Sequence, residues 1–428
     1  MSRYTNSEAL LQRALETIPL GSQTFSKSIT QLPKGISPYF ASHAKGSKFW
    51  DVDGNKYIDF VNGLLAITIG HTDEEIINAV KEQLEKGTIF SLAHELEIEV
   101  AEKICEMVPC AEMVRFGKNG SDATAGAIRI ARAHTGKDHV LVCGYHGWQD
   151  WYIGSTTRDK GVPKTTQELT HKFMYNDIES LENKLKELEG KVAAVILEPV
   201  NITPPQDNFL AKVKELTHKA GAVLIFDETI TGFRYANGGA QEFFDVTPDL
   251  ATFGKGLANG YALSAVAGKK EIMKHMEDVF FSFTFGGETL SLAAANVVLD
   301  KLKHTPVIDK INKTGTYLIE QLNQTIQKHG LEDTFEVQGY PCWSFFVIKP
   351  LSWTSQEEIK TLYLQEMFKQ GIFTIGTHNL SYAHTNEDID VLIEAYSNFF
   401  IKFITLAKDQ DISSALHAAP LVPLFKVR

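Results

Sequence analysis

The chain has 428 residues, is 43% hydrophobic and carries a formal net charge of −11. That is enough apolar material for a large core and two domains, and the mixing of acidic and basic residues excludes the basic stripe of a nucleic-acid binder. No stretch reaches the roughly 20 apolar residues of a membrane helix, and "MSRYTNSEALLQRALETIPLG" has no signal-peptide core, so the sequence reads as a soluble cytoplasmic protein.

A helix is expected near Ser7–Thr17, followed by a stretch punctuated by Gly and Pro. "KFWDVDGNKYIDF" reads as a hairpin: Asp53-Gly54 supplies the turn, and Phe49, Val52, Tyr57, Ile58 and Phe60 are strand formers. From about residue 73 to 300, helices and strands alternate. The helical stretches are "DEEIINAVKEQLEKG", "ELEIEVAEKICEMV", "SDATAGAIRIARAHTG", "IESLENKLKELEG" and "NFLAKVKELTHKAG". The apolar runs between them, "HVLVC", "VAAVIL", "AVLIF", "LATF" and "LSAVAG", read as buried strands of a mostly parallel sheet. Beyond residue 301, long helical stretches surround the strand-like "WSFFVIK", and the tail "PLVPLFKVR" is expected to pack on the body. The expected division is an N-terminal segment 1–65, a large domain 66–300 and a smaller α+β domain 301–428 that the N-terminal segment joins. Cys105, Cys110, Cys143 and Cys342 form no C-x-x-C pair and read as inert thiols. The histidines, His94 and His384 among them, show no metal-like clustering and read as packing or loop residues.

Ligands of open α/β sheets bind beyond the carboxyl ends of the strands, so the residues after each predicted strand matter most. "AVLIF" is followed by the acids Asp227 and Glu228, costly there unless paired. "LATF" is followed by Lys255 between Gly254 and Gly256. A lysine at a strand end in partly apolar surroundings can lose its proton and attack a carbonyl. "HVLVC" is followed by Tyr145, His146 and Trp148, aromatics able to stack on a flat ligand. Gly120 and Ser121 open an Ala-rich helix whose free N–H groups suit a phosphate. Each feature alone also reads as a turn, a cap or loop packing. Together, a Schiff-base lysine, an acid for a pyridine nitrogen, a stacking aromatic and a phosphate cradle are what pyridoxal phosphate requires.

On these residues the chain resembles a fold-type I, class III aminotransferase, in the branch similar to glutamate-1-semialdehyde aminomutase. The resemblance runs from "WDVDGNKYIDF" through "GSDATAGAIRIARAHTGKDHVLVCGYHG" and "LIFDETITGFR" to "PDLATFGKGLANG" and "TFGGETLSLAAA". It implies that Lys255 forms the Schiff base and moves protons between substrate and cofactor. It further implies that Asp227 holds the pyridine nitrogen, that Tyr145 stacks on the ring with His146 beside it, and that Gly120 and Ser121 bind the phosphate. A homodimer is implied, with Thr284 reaching the neighbouring subunit's site.

The chain departs from that family in three places. Thr229 stands where a ring-packing Val is usual. "EPVNITPP" puts Thr203 where many transaminases carry a Glu that pairs with a mobile Arg. "TIGTHNLSYAHT" and "GLLAI" lack the Glu and Trp of the aminomutases. Lys27 falls near an aminomutase carboxylate-binding Arg, and Trp148, Trp151 and Tyr152 are candidates for a substrate wall. No metal is expected. The motifs, and the missing aminomutase Glu and Trp, favour an aminotransferase, acting on a small-molecule amino donor and a keto or aldehyde acceptor, over an intramolecular aminomutase making 5-aminolevulinate. A scaffold that only binds the cofactor would have no need of both Lys255 and Asp227.

Overall fold

In the computed structural model, which describes residues 3–422, the chain divides after Asp73 and after Ile308 into a central unit and a unit made of both chain ends. The first end begins with α1 (Thr5–Thr17) and continues into β1 (Ala41–Lys45), β2 (Lys48–Asp51) and β3 (Lys56–Asp59). The expected hairpin is present, with β2 antiparallel to β3. Its turn is held by Asp51 Oδ1, which accepts the N–H groups of Asp53 (3.0 Å) and Asn55 (2.7 Å), while Gly54 takes φ +83°.

The central unit contains α2 (Glu74–Lys86), α3 (Glu95–Met107), β4 (Met113–Gly117), α4 (Gly120–Thr135), β5 (His139–Cys143), β6 (Thr170–Lys172), α5 (Ile178–Glu187) and β7 (Val192–Leu197). It continues with α6 (Phe209–Lys219), β8 (Val223–Asp227), β9 (Leu250–Phe253), β10 (Ser264–Gly268) and α7 (Thr289–His304). Its seven strands lie in the order β4-β10-β9-β8-β7-β5-β6. Strands β6, β5, β7, β8 and β9 are mutually parallel, and β10 runs antiparallel between β9 and β4. The mostly parallel sheet of the sequence reading is therefore present. "LSAVAG" gave no sign of its reversed direction, and β4 was not read from the sequence at all. Its half-buried stretch contains Arg115 and has no continuous apolar run.

Side chains alternate across a strand, and here both faces are buried. Val140, Val142, Ala194, Ile196, Val223, Ile225 and Leu250 share one core with Ala123, Ala127 and Ile130 of α4. Leu141, Cys143, Val195, Leu197, Leu224 and Phe226 join the other, with Leu181 of α5 and Phe209, Leu210 and Val213 of α6. Continuous apolar runs are the signature of strands covered on both sides. The same parity assigns Asp227, two residues after Ile225, to the α4 face, and with it Thr252, two residues after Leu250.

The second chain end supplies α8 (Val307–Lys328), β11 (Phe335–Tyr340), β12 (Trp343–Ile348), α9 (Gln356–Lys369), β13 (Ile372–Phe373), β14 (Thr377–Asn379) and α10 (Asn386–Asp409). Strand β13 extends the N-terminal sheet alongside β3, and β11-β12-β14 form a second sheet. This is the expected α+β unit built from both ends. Its core holds a buried polar chain: Ser344 Oγ to His378 Nδ1 (3.0 Å), His378 Nε2 to Tyr396 Oη (2.8 Å), and Tyr396 Oη to Tyr363 Oη (2.8 Å). His384 is likewise buried, its Nδ1 2.9 Å from Ser381 Oγ, whereas His94 caps α3. All four cysteines are free. The tail expectation falls largely on residues 423–428, outside the described residues; just before them the Leu421 N–H donates to Thr361 Oγ1 at 2.9 Å.

Candidate active site

The strand ends that face α4 bring the candidate residues together. Strand β8 ends in Asp227, which is 4% exposed. A buried carboxylate is tolerated only when its oxygens are engaged, and both are. Oδ2 lies 2.8 Å from His146 Nδ1, and Oδ1 accepts from Thr252 Oγ1 and from the Thr229 N–H, each at 3.1 Å. Burial by itself raises the Asp227 pKa, but the His146 hydrogen bond and charge, with Thr229, outweigh it and hold the carboxyl below its ordinary value. An ionised carboxylate only accepts, so His146 carries its hydrogen on Nδ1. Its Nε2 is buried and has no hydrogen-bond partner among the described residues.

Glu228, the second acid of the pair, has another job. It is wholly buried and gathers Thr231 Oγ1 (2.7 Å), the N–H groups of Ala240 (2.6 Å) and Gln241 (2.9 Å), and Gln241 Nε2 (3.2 Å). Desolvation raises its pKa despite these donors. It fixes the returning loop and caps the short helix Ala240–Phe243.

The loop after β5 is bound to the start of α4. Thr124 Oγ1 donates to the His146 carbonyl (2.8 Å), and the Trp148 N–H donates to Ser121 Oγ (3.3 Å). Gly147 has φ +102°, and a Cβ there would stand 2.3 Å from Ser121 Oγ, so only glycine permits this approach. At the other side of the loop, Glu198 Oε2 accepts the Tyr145 N–H (3.0 Å), and Tyr152 Oη donates to the Gly144 carbonyl (2.8 Å). Tyr145 keeps 38% of its surface exposed, and Trp148 is more exposed still.

Gly120 opens α4; the Asp122 N–H is engaged by Asn119 (3.0 Å to its carbonyl), whereas those of Gly120 and Ser121 have no intrahelical acceptor. Thr229 packs against it: a Cβ on Gly120 would lie 2.9 Å from Thr229 Cγ2, and one on Gly254 would lie 3.4 Å from the same atom. Lys255 follows directly, half-buried, in the turn Lys255–Ala258, with φ +42°. That left-handed conformation is strained for a lysine.

Gly120, Ser121, Tyr145, His146, Trp148, Asp227, Thr229 and Lys255 thus belong to one cluster. The sequence reading missed Thr252 and Glu198, although a polar residue inside "LATF" at Asp227's parity was a usable signal. Trp151 is buried in the α4-side core, its ring 6.4 Å from that of His146. Thr284 is exposed in the segment between β10 and α7. Lys27 lies in a short turn of the other unit, exposed.

Residues 31–383 match the family model described as "Aminotransferase class-III". The chain is 34% identical to a 3-aminobutyryl-CoA aminotransferase of Cloacimonas acidaminovorans, over 92% of this chain and 96% of that one. It is 36% identical to a glutamate-1-semialdehyde 2,1-aminomutase of Methanothrix thermoacetophila, again over 92% and 96%. Among solved structures, the FumI protein of Sphingopyxis sp. MTA144 in its PLP internal aldimine form superposes with a TM-score of 0.89 at 28% identity, covering 96% of this chain and 99% of that one. An omega-transaminase from Sphaerobacter thermophilus gives 0.83 at 27%, covering 92% and 97%. The chain belongs to the class-III aminotransferase family of enzymes.

Proposed function

We propose that this enzyme is a pyridoxal-phosphate-dependent transaminase that moves an amino group between an amino donor and a keto or aldehyde acceptor. The observation that carries the reading is the buried Asp227, held ionised by His146 at the end of β8, in one cluster with Lys255 and the glycine-lined start of α4. The residues fit the cofactor. A ring nitrogen needs an anionic partner, which the buried Asp227 carboxylate would supply, and a phosphate needs free N–H groups such as those that open α4.

When bound, pyridoxal phosphate supplies an aldehyde that bonds to amines and a ring that accepts the electron pair left on a substrate carbon. The protein does the rest. Asp227 keeps the ring nitrogen protonated, and His146, Thr252 and the Thr229 N–H keep Asp227 in place. Tyr145 covers a ring face. The N–H groups of Gly120 and Ser121 hold the phosphate. Lys255 Nζ would hold the cofactor and, once freed by substrate, would serve as the base that moves the substrate proton.

A homodimer with Thr284 directed at the partner's site accompanies this reading. It is supported by exposed apolar side chains around Thr284: Phe280, Phe283 and Phe285 are all exposed. Leu92 is 84% exposed on the segment before α3, and such apolar exposure marks an interface.

The test is a donor panel of α-amino acids, β-amino acids and primary amines, given without acceptor to protein loaded with pyridoxal phosphate. A transaminase forms about one keto product per site and stops until an acceptor is added. Repeated turnover of glutamate-1-semialdehyde to 5-aminolevulinate without acceptor would make the enzyme an aminomutase instead, as several relatives are named.

A further inference from the structure

We propose that Glu198 is the positioning residue for Tyr145: its carboxylate, just past the end of β7, fixes where the Tyr145 ring meets the cofactor. The inference rests on the reading that this site holds pyridoxal phosphate and that Tyr145 covers its ring.

Tyr145 keeps 38% of its surface exposed, so packing does not enclose its ring on every side. Its backbone is held firmly. Cys143 and Leu197 are partners in the ladder between β5 and β7, so Gly144 and Glu198 leave adjacent strands side by side. The Glu198 N–H donates to the Cys143 carbonyl at 3.2 Å, and Glu198 Oε2 accepts the Tyr145 N–H at 3.0 Å. The approach is close. Gly144 takes φ +110°, and a Cβ there would stand 2.6 Å from Oε2, so only glycine lets the carboxylate reach the next N–H. On the other flank stands Tyr152, wholly buried. Its Oη donates to the Gly144 carbonyl at 2.8 Å, and its ring meets that of Tyr145 edge-on, with centroids 5.7 Å apart.

Packing does not explain an acid at this position. Glu198 is 7% exposed, where a carboxylate is costly and a leucine would fill the space without that cost. What the acid adds is a charge-assisted acceptor, shorter and stronger than a neutral one. Asn201 Nδ2, 3.4 Å from the same oxygen, steadies it from the following loop. The main-chain N–H that Oε2 engages belongs to the residue proposed to stack on the cofactor. Withdrawing the oxygen therefore releases the backbone from which that ring is carried, while Tyr152 continues to hold the preceding carbonyl.

The experiment compares wild type with three variants. Glu198→Gln keeps an acceptor oxygen at the same reach, Glu198→Asp draws it back by one methylene, and Glu198→Leu removes it. Each is made alone and together with Tyr145→Leu, stripped of cofactor and titrated with pyridoxal phosphate, following protein fluorescence. Glu198→Leu and Glu198→Asp are expected to bind about tenfold more weakly, and Glu198→Gln within about threefold of wild type. With Tyr145→Leu already in place, the same changes should weaken binding less than about twofold, because the ring they displace is gone. The circular dichroism of the bound cofactor should change in the Leu and Asp variants and return in the Gln variant. Equal losses in the two backgrounds would make Glu198 a support of the loop alone and overturn the proposal. So would an unweakened Glu198→Asp, or a Gln variant as weak as Leu. Should Glu198→Leu not fold, Glu198→Asp carries the comparison. A wild-type protein that binds no pyridoxal phosphate overturns the cofactor reading, and the proposal with it.

Discussion

His146 and Asp227 form a buried pair, Nδ1 to Oδ2 at 2.8 Å, between a loop after β5 and the end of β8. Removing one partner of such a pair strands the other in a medium that penalises charge. His146→Phe keeps an aromatic ring but leaves Asp227 to Thr252 and Thr229. Cofactor-free protein should lose about 3 kcal/mol of stability in urea unfolding, and affinity for pyridoxal phosphate should fall as well. A loss below about 1 kcal/mol would mean that the two threonine donors satisfy the carboxylate unaided.

Two glycines with similar φ separate strain from crowding. Gly147 (φ +102°) sits against Ser121, whereas Gly161 (φ +91°) has nothing within 4 Å of where its Cβ would stand. Both alanine variants carry the left-handed penalty of about 1 kcal/mol. Only Gly147→Ala should also push the loop off α4, weakening pyridoxal phosphate binding at least roughly tenfold. Equal binding by the two variants would show that the close approach to Ser121 is not what shapes the cradle.

Lys255, the proposed Schiff-base lysine, has an unfavourable backbone, φ +42°. Any replacement should abolish transamination. Glycine and alanine, however, should differ in stability: Lys255→Gly relieves the left-handed conformation and should exceed Lys255→Ala by about 1 kcal/mol in chemical denaturation of the cofactor-free protein. If alanine proves equal or better, the turn holds no strain.

The parity of the central strands made much of this site legible beforehand. Val223, Ile225 and Asp227 share a face, and that face is the one α4 covers. Gly120, Ser121, Tyr145 and Lys255 were readable because each directly follows or precedes a strongly patterned element. Pairings between distant strands were not. Nothing in "HVLVCGYHG" announces that His146 reaches Asp227, since that contact depends on strand order β8-β7-β5, and Thr252 becomes relevant only through its register opposite Asp227. The direction of β10 was equally hidden, because a strand buried on both faces looks the same run either way. Trp151 offered an aromatic at a plausible distance from the site, yet hydrophobicity alone does not distinguish a wall residue from the core residue it is here.

Acid should destabilise the two-ended unit through His378. Burial depresses its pKa to about 3, against about 6.5 in the unfolded chain. Between these values the unfolded state holds a proton that the folded state lacks, so stability rises with pH and is lost as pH falls below about 6.5. The slope from this residue approaches about 1.4 kcal/mol per pH unit. His378→Gln, which cannot charge, should flatten the dependence of unfolding free energy on pH between about 4 and 6. An unchanged slope would remove His378 as its source.

Asp227 and Glu228 are neighbours with incompatible assignments: one carboxylate faces α4, the other is enclosed by the donors of its own returning loop. A shift of β8 by a single residue would exchange them, presenting the longer acid to His146 and driving the shorter one toward donors it cannot reach. Lengthening or shortening β8 by one residue should therefore be less tolerated than almost any substitution within it. Which acid faces α4 is indexed by the ladder between β7, β8 and β9, and depends on counting as much as on side-chain type.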